Sequence, residues 1–263
     1  MDLGEKFLVG TSGYSFRDWV GTFYPPGTRA KDMFAFYVRH FRTVEVNYTF
    51  YRMPTAATLD AMARQTPPEF TFWVKAHQQF THEHELKAAK EFLEALGPMQ
   101  ARGQLSGVLL QYPQSFHRTV ANRRALQGAI EAFASVPAAV EFRHGSWDHP
   151  ATFEGLQERG VTLVVPDVPD IGSLFRPKAL LTSQAGYLRL HSRQGASWYA
   201  GGEERYDYDY SDEKLRGLCE TWSLLADQTE RIFVFFNNCR HGRAAKNARR
   251  FMEIAGGYGH LPA

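Results

Sequence analysis

Short apolar runs rich in β-branched and aromatic residues recur along the chain, each followed by a longer segment with helical periodicity. Eight such runs are present, beginning near residues 7, 43, 71, 107, 138, 162, 187 and 231. The segments between them carry apolar residues three and four positions apart, as in KDMFAFYVRHF, HELKAAKEFLEAL and SDEKLRGLCETWSLLADQ. Strands that alternate with helices predict a parallel sheet covered by helices.

Eight strands in this alternation predict a (β/α)8 TIM barrel. An open doubly wound sheet is the alternative, but no GxGxxG motif follows the first strand. Thr55 and Ser211 stand where helix N-caps belong, and Gly160 where a helix ends. No linker divides the chain, so we expect one domain over residues 1–263. Long loops are expected after strands 1 and 7, over residues 14–30 and 193–210, with a shorter one over residues 81–85.

Polar residues close nearly every predicted strand at its C-terminal end. Glu141 and Arg143 are two positions apart on the fifth strand, so the period of a strand places them on one face. Because an unpaired charge cannot lie against the apolar helix layer, this face is expected to line the lumen. The other polar residues at strand ends are Glu45, Asn47, Lys75, Gln111, Asp167, Arg189, His191 and Asn237. Together they predict a polar mouth, which is where barrel enzymes build their active sites.

These charges have two interpretations. The acids Glu45, Glu141 and Asp167 could neutralise three bases in a purely structural network, but such buried networks seldom stabilise more than apolar packing does. A functional site is therefore favoured. These three acids and His191 could converge on a metal ion. However, the cations between them in the sequence compete for the carboxylates, and no HExxH spacing occurs. We predict neither a metal site nor a cofactor.

Anion binding fits the cations better. Lys75, Arg143 and Arg189 can hold a phosphate or carboxylate at the mouth. The final segment, FNNCRHGRAAKNARR, places a helix near Gly242 directly after the eighth strand, where barrels often bind phosphate. Its candidate binding residues are Asn237, Asn238, Lys246 and Asn247, with Arg243 nearby.

Aromatic residues are concentrated in the predicted loops, where they either stack on a ligand or pack the loops onto the barrel. They are Tyr14, Trp19, Phe23, Tyr24, Tyr48, Tyr51, Trp147, Trp198, Tyr199 and Tyr206. Composition limits the ligand only a little. A formal net charge of +2 over 263 residues disfavours a purely electrostatic nucleic-acid binder.

The cellular compartment and the oligomeric state are predicted from less specific features of the sequence. The two cysteines form no CxxC pair, which fits a reducing environment, and the N-terminal segment does not resemble a signal peptide. No apolar run approaches the length of a membrane-spanning helix. We expect a cytoplasmic monomer that does not contact membranes.

The ordered motifs GTSGYSFRDWVGTFYP, TVEVNYTFYRMP, FTFWVKAH, GVLLQYPQSF, AVEFRHGSW, YLRLHS and FVFFNNCRHGRAAKNA closely resemble the YecE-like domain-of-unknown-function family. The resemblance runs from about Phe7 to Phe251 and implies a TIM barrel without a known reaction. The chain departs from the family pattern at Tyr14, Tyr48, His77, Ser192 and Cys239, and the bulky Tyr48 and His77 are expected to narrow the pocket.

Our leading hypothesis is a metal-independent enzyme, with hydrolase-like or lyase-like acid–base chemistry on an anionic substrate such as a nucleic-acid phosphodiester or a sugar phosphate. Glu45 or Glu141 would be the general base and His191 the acid. The two glutamates could instead serve a glycosidase if their spacing allowed it. The expected binding residues are Asn47, Lys75, Gln111, Arg143, Trp147, Asp167, Arg189, Trp198, Tyr199, Asn237, Asn238, Lys246 and Asn247. The alternatives are a non-catalytic binder of nucleotides or single-stranded nucleic acid, and a partner-binding scaffold.

Overall fold

The computed structural model describes residues 3–196, 198–199 and 204–258. Eight parallel strands form one sheet in the order β1-β8-β7-β6-β5-β4-β3-β2. They are β1 Phe7–Thr11, β2 Thr43–Val46, β3 Thr71–Lys75, β4 Leu105–Gln111, β5 Ala138–Glu141, β6 Thr162–Asp167, β7 Ala185–Leu190 and β8 Arg231–Phe236. The TIM barrel predicted from the alternation is confirmed. Only β4 and β7 begin earlier than expected, at Leu105 and Ala185.

Helices cover the outside of the barrel. They are α1 Leu3–Lys6, α2 Ala30–Tyr37, α3 Ala56–Ala63, α4 Gln78–Thr81, α5 Ala89–Ala101, α6 Val120–Ala132, α7 Pro150–Gln157, α8 Asp212–Ser223 and α9 Arg243–Tyr258. The predicted caps are present: the side chains of Thr55 and Ser211 accept hydrogen bonds from backbone N–H groups of α3 and α8. Across the described ranges, no helix has the length and apolar character needed to cross a membrane.

One helix expected of a regular barrel is missing between β6 and β7. Residues 168–184, all of which the structure describes, form turns and extended segments instead. Pro169, Gly172 and Pro177 interrupt this stretch, and prolines inside a helix remove a backbone donor and clash with the preceding turn. The loop pairs with the chain after β5, since the N–H of Phe175 donates to the carbonyl of Arg143 at 2.9 Å.

The barrel closes where β1 meets β2. Ser12 and Glu45 form an isolated parallel bridge, and the N–H of Gly13 donates to the carbonyl of Glu45 at 2.8 Å. The two strands approach so closely that a Cβ atom on Gly10 would lie 2.4 Å from the carbonyl oxygen of Thr43. This closeness explains why glycine occupies position 10.

A buried hydroxyl supplements the hydrogen bonds across this seam. The Tyr37 hydroxyl accepts from the N–H of Thr11 on β1 at 2.9 Å and donates to the carbonyl of Thr43 on β2 at 3.0 Å. Tyr37 lies on α2 and is fully buried, so water cannot replace its hydroxyl. One side chain of the outer layer thus joins the two end strands of the sheet.

An apolar plug fills the lower part of the lumen. Its buried members are Leu8, Trp73, Leu109, Ala139, Val164, Tyr187, Phe233 and Phe235. The Trp73 ring packs on Tyr187 and Phe233, with ring centroids 5.0 and 5.4 Å apart. Gly107 provides the space, because a Cβ at that position would lie 2.5 Å from the Trp73 ring. The plug therefore separates the N-terminal end of the barrel from its C-terminal mouth.

Replacing Tyr37 by Phe tests the seam. The substitution leaves the Thr11 N–H and the Thr43 carbonyl without their bridging partner, so we expect a loss of about 1–3 kcal/mol in the free energy of unfolding. Urea denaturation followed by circular dichroism measures this loss. Tyr51→Phe is the matched control: its side chain is 76% exposed, and we expect a change within about 0.5 kcal/mol. Equal effects of the two substitutions would contradict the bridging role.

Candidate active site at the barrel mouth

A buried guanidinium joins two carboxylates directly above the apolar plug. Arg189 on β7 binds Glu45 on β2 through Nε at 3.0 Å and Nη2 at 2.7 Å. Its Nη1 donates to Glu141 on β5 at 2.8 Å. The Tyr187 hydroxyl adds a fourth bond, to Glu45 Oε2 at 2.6 Å. Arg189 is only 2% exposed and both glutamates are fully buried, so these bonds are not weakened by solvent.

The period of the strands produces this arrangement. Tyr187, Arg189 and His191 alternate along one face of the chain at β7, and the register pairs Gln111 on β4 with Glu141 on β5. The expectation that Glu45, Glu141, Arg189 and His191 converge is met by their direct contacts. Tyr187 was not foreseen, although its position two residues before Arg189 assigned it to the lumen face.

The two glutamates are held as carboxylates. Burial alone would raise the pKa of Glu45, but the charge and hydrogen bonds of Arg189 lower it below its ordinary value. Burial acts in the same way on Glu141, and Arg143 and Arg189 together bring its pKa well below the usual range. A carboxylate with so little affinity for a proton is a poor general base, which weighs against the catalytic role expected of both residues.

His191 is locked in its neutral form. Its Nε2 lies 3.1 Å from Glu141 Oε1, and its Nδ1 lies 2.8 Å from Nδ2 of Asn237. Since the Asn237 amide donates, Nδ1 is the acceptor and Nε2 carries the proton that Glu141 accepts. Burial and the nearby charge of Arg143 lower the pKa of His191 to about 3. The imidazole therefore orients Glu141 rather than supplying protons, contrary to the expected acid role.

Lys75, at the end of β3, differs from the arginines in having no carboxylate partner among the residues that the structure describes. Its Nζ donates to Gln111 Oε1 at 2.8 Å and lies 4.0 Å from the centre of the Phe50 ring. Burial and the charge of Arg189 lower the pKa of Lys75 to about 7, against the opposing effect of Glu141 and Glu45. A substantial fraction of this amine is therefore uncharged at neutral pH.

Arg143 is paired with Glu141 through Nε, and its side chain is partly exposed. Its Nε lies 2.9 Å from Glu141 Oε1, and its side chain is 15% exposed. Its backbone is held by the loop after β6 through Phe175, as described above. Within the described ranges, its two terminal Nη groups donate no hydrogen bond to the protein. Arg143 thus has terminal N–H donors that no described residue uses, and the anion contact expected of it stays a prediction.

Three polar atoms near the closing seam are buried without a hydrogen-bond partner in the described part of the chain. They are Ser12 Oγ, Asn47 Oδ1 and the Tyr48 hydroxyl. Such atoms are rare in folded proteins, because leaving one unpaired costs about 1–3 kcal/mol. All three follow the C-terminal ends of β1 and β2, so they belong to the mouth. Asn47 was expected there, whereas Ser12 and Tyr48 were not identified as binding residues.

Asp167 does not join the lumenal cluster. Its carboxylate accepts from Arg193 Nη2 at 2.8 Å and from the Tyr210 hydroxyl at 2.6 Å. Val164 of the same strand packs in the lumenal plug, so alternation directs Asp167 to the opposite face. Its contacts instead tie the loop after β7 to the end of β6.

Asn238, Asn247 and Lys246 also hold the loop after β7. Asn238 Nδ2 donates to Asn247 Oδ1 at 2.8 Å and to the carbonyl of Tyr208 at 2.7 Å. Asn247 and Lys246 both donate to the Asp209 carboxylate, at 2.8 and 2.6 Å. Asp209 therefore already occupies the neighbourhood in which a phosphate was expected, at the start of α9. These three residues anchor the described end of the loop after β7 and have no described hydrogen bond to Arg189.

Most of the aromatic residues that were predicted at the mouth are buried or half-buried and pack the loops onto the barrel. Trp147 is 2% exposed, stacks on Phe142 with ring centroids 4.3 Å apart and donates to the carbonyl of Phe116. Trp19 and Tyr24 are likewise buried. Among the expected binding aromatics, Trp198 contacts the site, with its ring edge-on to His191 at 6.3 Å. Tyr199 is 62% exposed and its hydroxyl bonds to Ser173.

The donor set does not suit a metal ion. Both lumenal carboxylates already accept bonds from arginines, which a metal would have to displace. In the ranges the structure covers, no group of three or more His, Cys, Asp or Glu residues is arranged to hold an ion. Cys239 lies with Sγ 3.5 Å from the carbonyl of Ser12, and burial raises the pKa of its thiol.

Replacing Arg189 by Met should destabilise the protein strongly. The change leaves two buried carboxylates uncompensated, and breaking a buried ion pair in this way costs about 3–5 kcal/mol. Arg64→Met is the control, because Arg64 pairs with Asp60 on the surface with 68% of its side chain exposed. That control should lose about 0–1 kcal/mol. Denaturant titration measures the loss in free energy of unfolding for both variants. Similar losses would show that the cluster does not depend on Arg189 for its stability.

Acid should destabilise the protein in two stages. Between pH 6.5 and about 3 the unfolded chain protonates His191 and the folded chain does not, so stability falls as pH drops through this range. Below pH 4.5 the glutamates add to the loss, because the folded protein keeps them ionised while the unfolded chain protonates them.

His191→Gln retains a donor and an acceptor but does not titrate. Between pH 6.5 and 4.5 its stability should fall less steeply than that of the wild type, by up to about 1.4 kcal/mol per pH unit. Thermal unfolding across this range measures the slope. His149→Asn, which replaces an exposed histidine at the N-cap of α7 by another capping residue, should keep the wild-type slope. A wild-type slope in His191→Gln would be incompatible with a buried neutral His191.

Known proteins share both the sequence pattern and the barrel. A family model described as "Protein of unknown function DUF72" matches residues 8–262. The chain is 29% identical over 266 residues to the UPF0759 protein YunF of Bacillus subtilis, covering 94% of this chain and 93% of that protein. It is 30% identical over 146 residues to the UPF0759 protein YecE of Escherichia coli K12, a match that spans 50% of each chain.

Solved structures agree. A DUF72 family protein from Thermotoga maritima has 37% sequence identity and a TM-score of 0.88, over 94% of this chain and 98% of that one. A DUF72 family protein from Enterococcus faecalis, 23% identical, shares the fold with a TM-score of 0.83 over 98% and 96% of the two chains. The chain therefore belongs to the DUF72 family of TIM-barrel proteins.

Proposed function

We propose that the protein is an enzyme that acts on an anionic, phosphate-bearing small molecule at the C-terminal mouth of the barrel, with no requirement for a bound metal. Arg143 binds the anionic group and Lys75 is the reactive group. Glu45, Glu141, Arg189 and His191 form the support that holds these two side chains in place. A sugar phosphate is the substrate class that fits best.

The charges at the mouth do not pair completely, and this incomplete pairing is the main support. Two buried carboxylates, Glu45 and Glu141, are matched by two arginines, Arg143 and Arg189. Lys75 is left as a third cation without a described carboxylate partner. With or without a proton on Lys75, the cluster carries no net negative charge that would repel an anion, and Arg143 keeps terminal donors that no described residue uses.

The unpaired polar atoms support a hydroxyl-rich ligand. Asn47 Oδ1 and Ser12 Oγ are buried as the protein stands, and a substrate hydroxyl that displaced the side chains around them would satisfy atoms that the protein leaves unsatisfied. A sugar phosphate carries both the hydroxyls and the anion that this mouth would recognise.

A nucleic-acid ligand receives less support. Base stacking needs accessible aromatic faces, and Trp19, Tyr24 and Trp147 are buried in the packing of the loops. Tyr51 and Tyr199 stay exposed, but neither contacts the lumenal cluster through a described bond. Binding of single-stranded nucleic acid without turnover is therefore the runner-up.

Ligand-induced thermal shifts test the proposal. Sugar phosphates should raise the melting temperature in a concentration-dependent way, because a ligand that binds only the native state adds about 2.7 kcal/mol at 100 times its dissociation constant. Inorganic phosphate, nucleotides, oligonucleotides and neutral sugars complete the panel. The stabilising compound is then assayed for turnover, which should rise with pH through about 7 as Lys75 loses its proton.

Arg143→Met should abolish the shift. Arg176→Met is its control, because Arg176 lies in the loop after β6 and pairs on the surface with Asp170. The proposal fails if neutral sugars stabilise as well as their phosphates or if Arg143→Met responds like the wild type. Stabilisation by oligonucleotides alone, with steep salt dependence and no turnover, would establish the runner-up instead.

A further inference from the structure

Lys75 has the surroundings of a nucleophile rather than those of a simple anion contact. It ends β3 at the polar mouth, with its Nζ over the face of the Phe50 ring. Its one described hydrogen-bond acceptor is Gln111 Oε1, a neutral oxygen. The Gln111 amide is itself fixed, because Nε2 donates to the carbonyl of Tyr112 at 2.7 Å. An amine that donates one N–H to this oxygen directs its lone pair elsewhere.

The surroundings of Lys75 as a whole favour its uncharged form. Both lumenal carboxylates are bound by arginines, so neither pairs with Nζ within the described residues. Burial is the main cause that lowers the pKa of the amine to about 7, and the charges of Arg189 and Arg143 add to it against the opposing effect of Glu141 and Glu45. Desolvation and neighbouring cations are the two ways in which proteins activate a lysine for attack on a carbonyl group.

The backbone spacing of the strands that carry Lys75 and Arg143 gives an approximate length for the substrate. Lys75 is on β3 and Arg143 follows β5, and strands two apart in a sheet are separated by about 10 Å. A short phosphorylated chain can span this distance with its phosphate at Arg143 and its other end at Lys75. By register, Asn47 lies beside Lys75, because Val46 pairs with Val74. Its unpaired Oδ1 is therefore near the reacting end.

We propose that Lys75 forms an imine with the carbonyl group of a phosphate-bearing aldehyde or ketone. The inference builds on the proposed function, since it assigns the substrate class and the role of Lys75 at the same site. A cation that only bound phosphate would be better served by an arginine or by a lysine beside a carboxylate.

The step balances without any further reactant. The lone pair of neutral Nζ attacks the carbonyl carbon, the C–N bond forms, and the carbonyl oxygen takes up a proton from the nitrogen to give a carbinolamine. The nitrogen then forms the C=N bond, loses its second proton to the departing oxygen, and water leaves. When its nitrogen takes up a proton from solvent, the imine becomes an iminium ion that withdraws electrons from the adjacent carbon, so that a bond there can break or form.

Reductive trapping of the full-length protein tests the inference. Glyceraldehyde 3-phosphate, dihydroxyacetone phosphate and, as a general probe, pyridoxal 5′-phosphate are each incubated with the protein at pH 7 and reduced with sodium borohydride. Peptide mass mapping locates the resulting secondary amine. We expect Lys75 to be labelled at least about tenfold faster than exposed Lys31, and labelling at residue 75 to disappear in Lys75→Arg. Circular dichroism confirms that the variant is folded.

Two further arms separate this inference from the proposed function. Labelling should weaken at least about tenfold for glyceraldehyde, which lacks the phosphate, and in Arg143→Met. If Lys75 is labelled equally well by glyceraldehyde and in Arg143→Met, the imine is upheld and the anion contact at Arg143 is contradicted. Thermal stabilisation by sugar phosphates without labelling, or labelling spread equally over surface lysines, overturns the imine and leaves the proposed function standing. The wild-type map decides the matter even if a variant does not fold.

Discussion

The pairing of Arg189 with two buried carboxylates determines how the rest of the mouth is built. Glu45 and Glu141 come from β2 and β5, and Arg189 reaches both from β7, so one side chain links three strands across the lumen. Without it, two carboxylates in a medium of low polarity would repel each other, and at least one would take up a proton. With it, both stay ionised and lose the ability to act as bases. The guanidinium therefore turns two candidate catalysts into a support.

The same pairing decides the state of Lys75. Arginine keeps its proton under almost any conditions and offers planar, bidentate contacts, whereas a buried lysine gives its proton up readily. With two arginines and one lysine beside two carboxylates, both carboxylates form their ion pairs with the arginines. Two negative and two positive charges then cancel, and a proton on Lys75 would leave the cluster with an excess positive charge. The low pKa of Lys75 follows from this allocation together with its burial.

The barrel and the membership of the lumenal cluster could be predicted from the sequence because both rest on local periodicity. Alternation assigns Glu45, Glu141, Arg189 and His191 to the lumen wherever apolar residues define the opposite face. On β6 the residues Leu163, Val164 and Val165 are all apolar, so the pattern does not show which face is which, and Asp167 was misplaced. The ion pairs within the cluster could not be predicted from the sequence either. Which carboxylate Arg189 binds depends on distances across the lumen, and no spacing along the chain encodes them.

The loops were predicted least well, for a related reason. Trp19 and Trp147 end three-residue 3-10 helices and Tyr24 directly follows a turn, and such short pieces have no period that indicates whether a ring faces solvent or the barrel. Their burial makes the loops firm supports, and the loop after β6 in turn holds the backbone of Arg143.

Rigid placement of Arg143 matters because the two working groups must remain apart. A phosphate beside Lys75 would raise the pKa of the amine and remove its lone pair. A phosphate held at Arg143 disturbs Lys75 less, since Coulomb energy falls with distance and Arg143 is already charged. In the proposed reaction, the support built around Arg189 would thus separate charge recognition from reactivity, and this separation would let an uncharged lysine act in a site that also binds an anion.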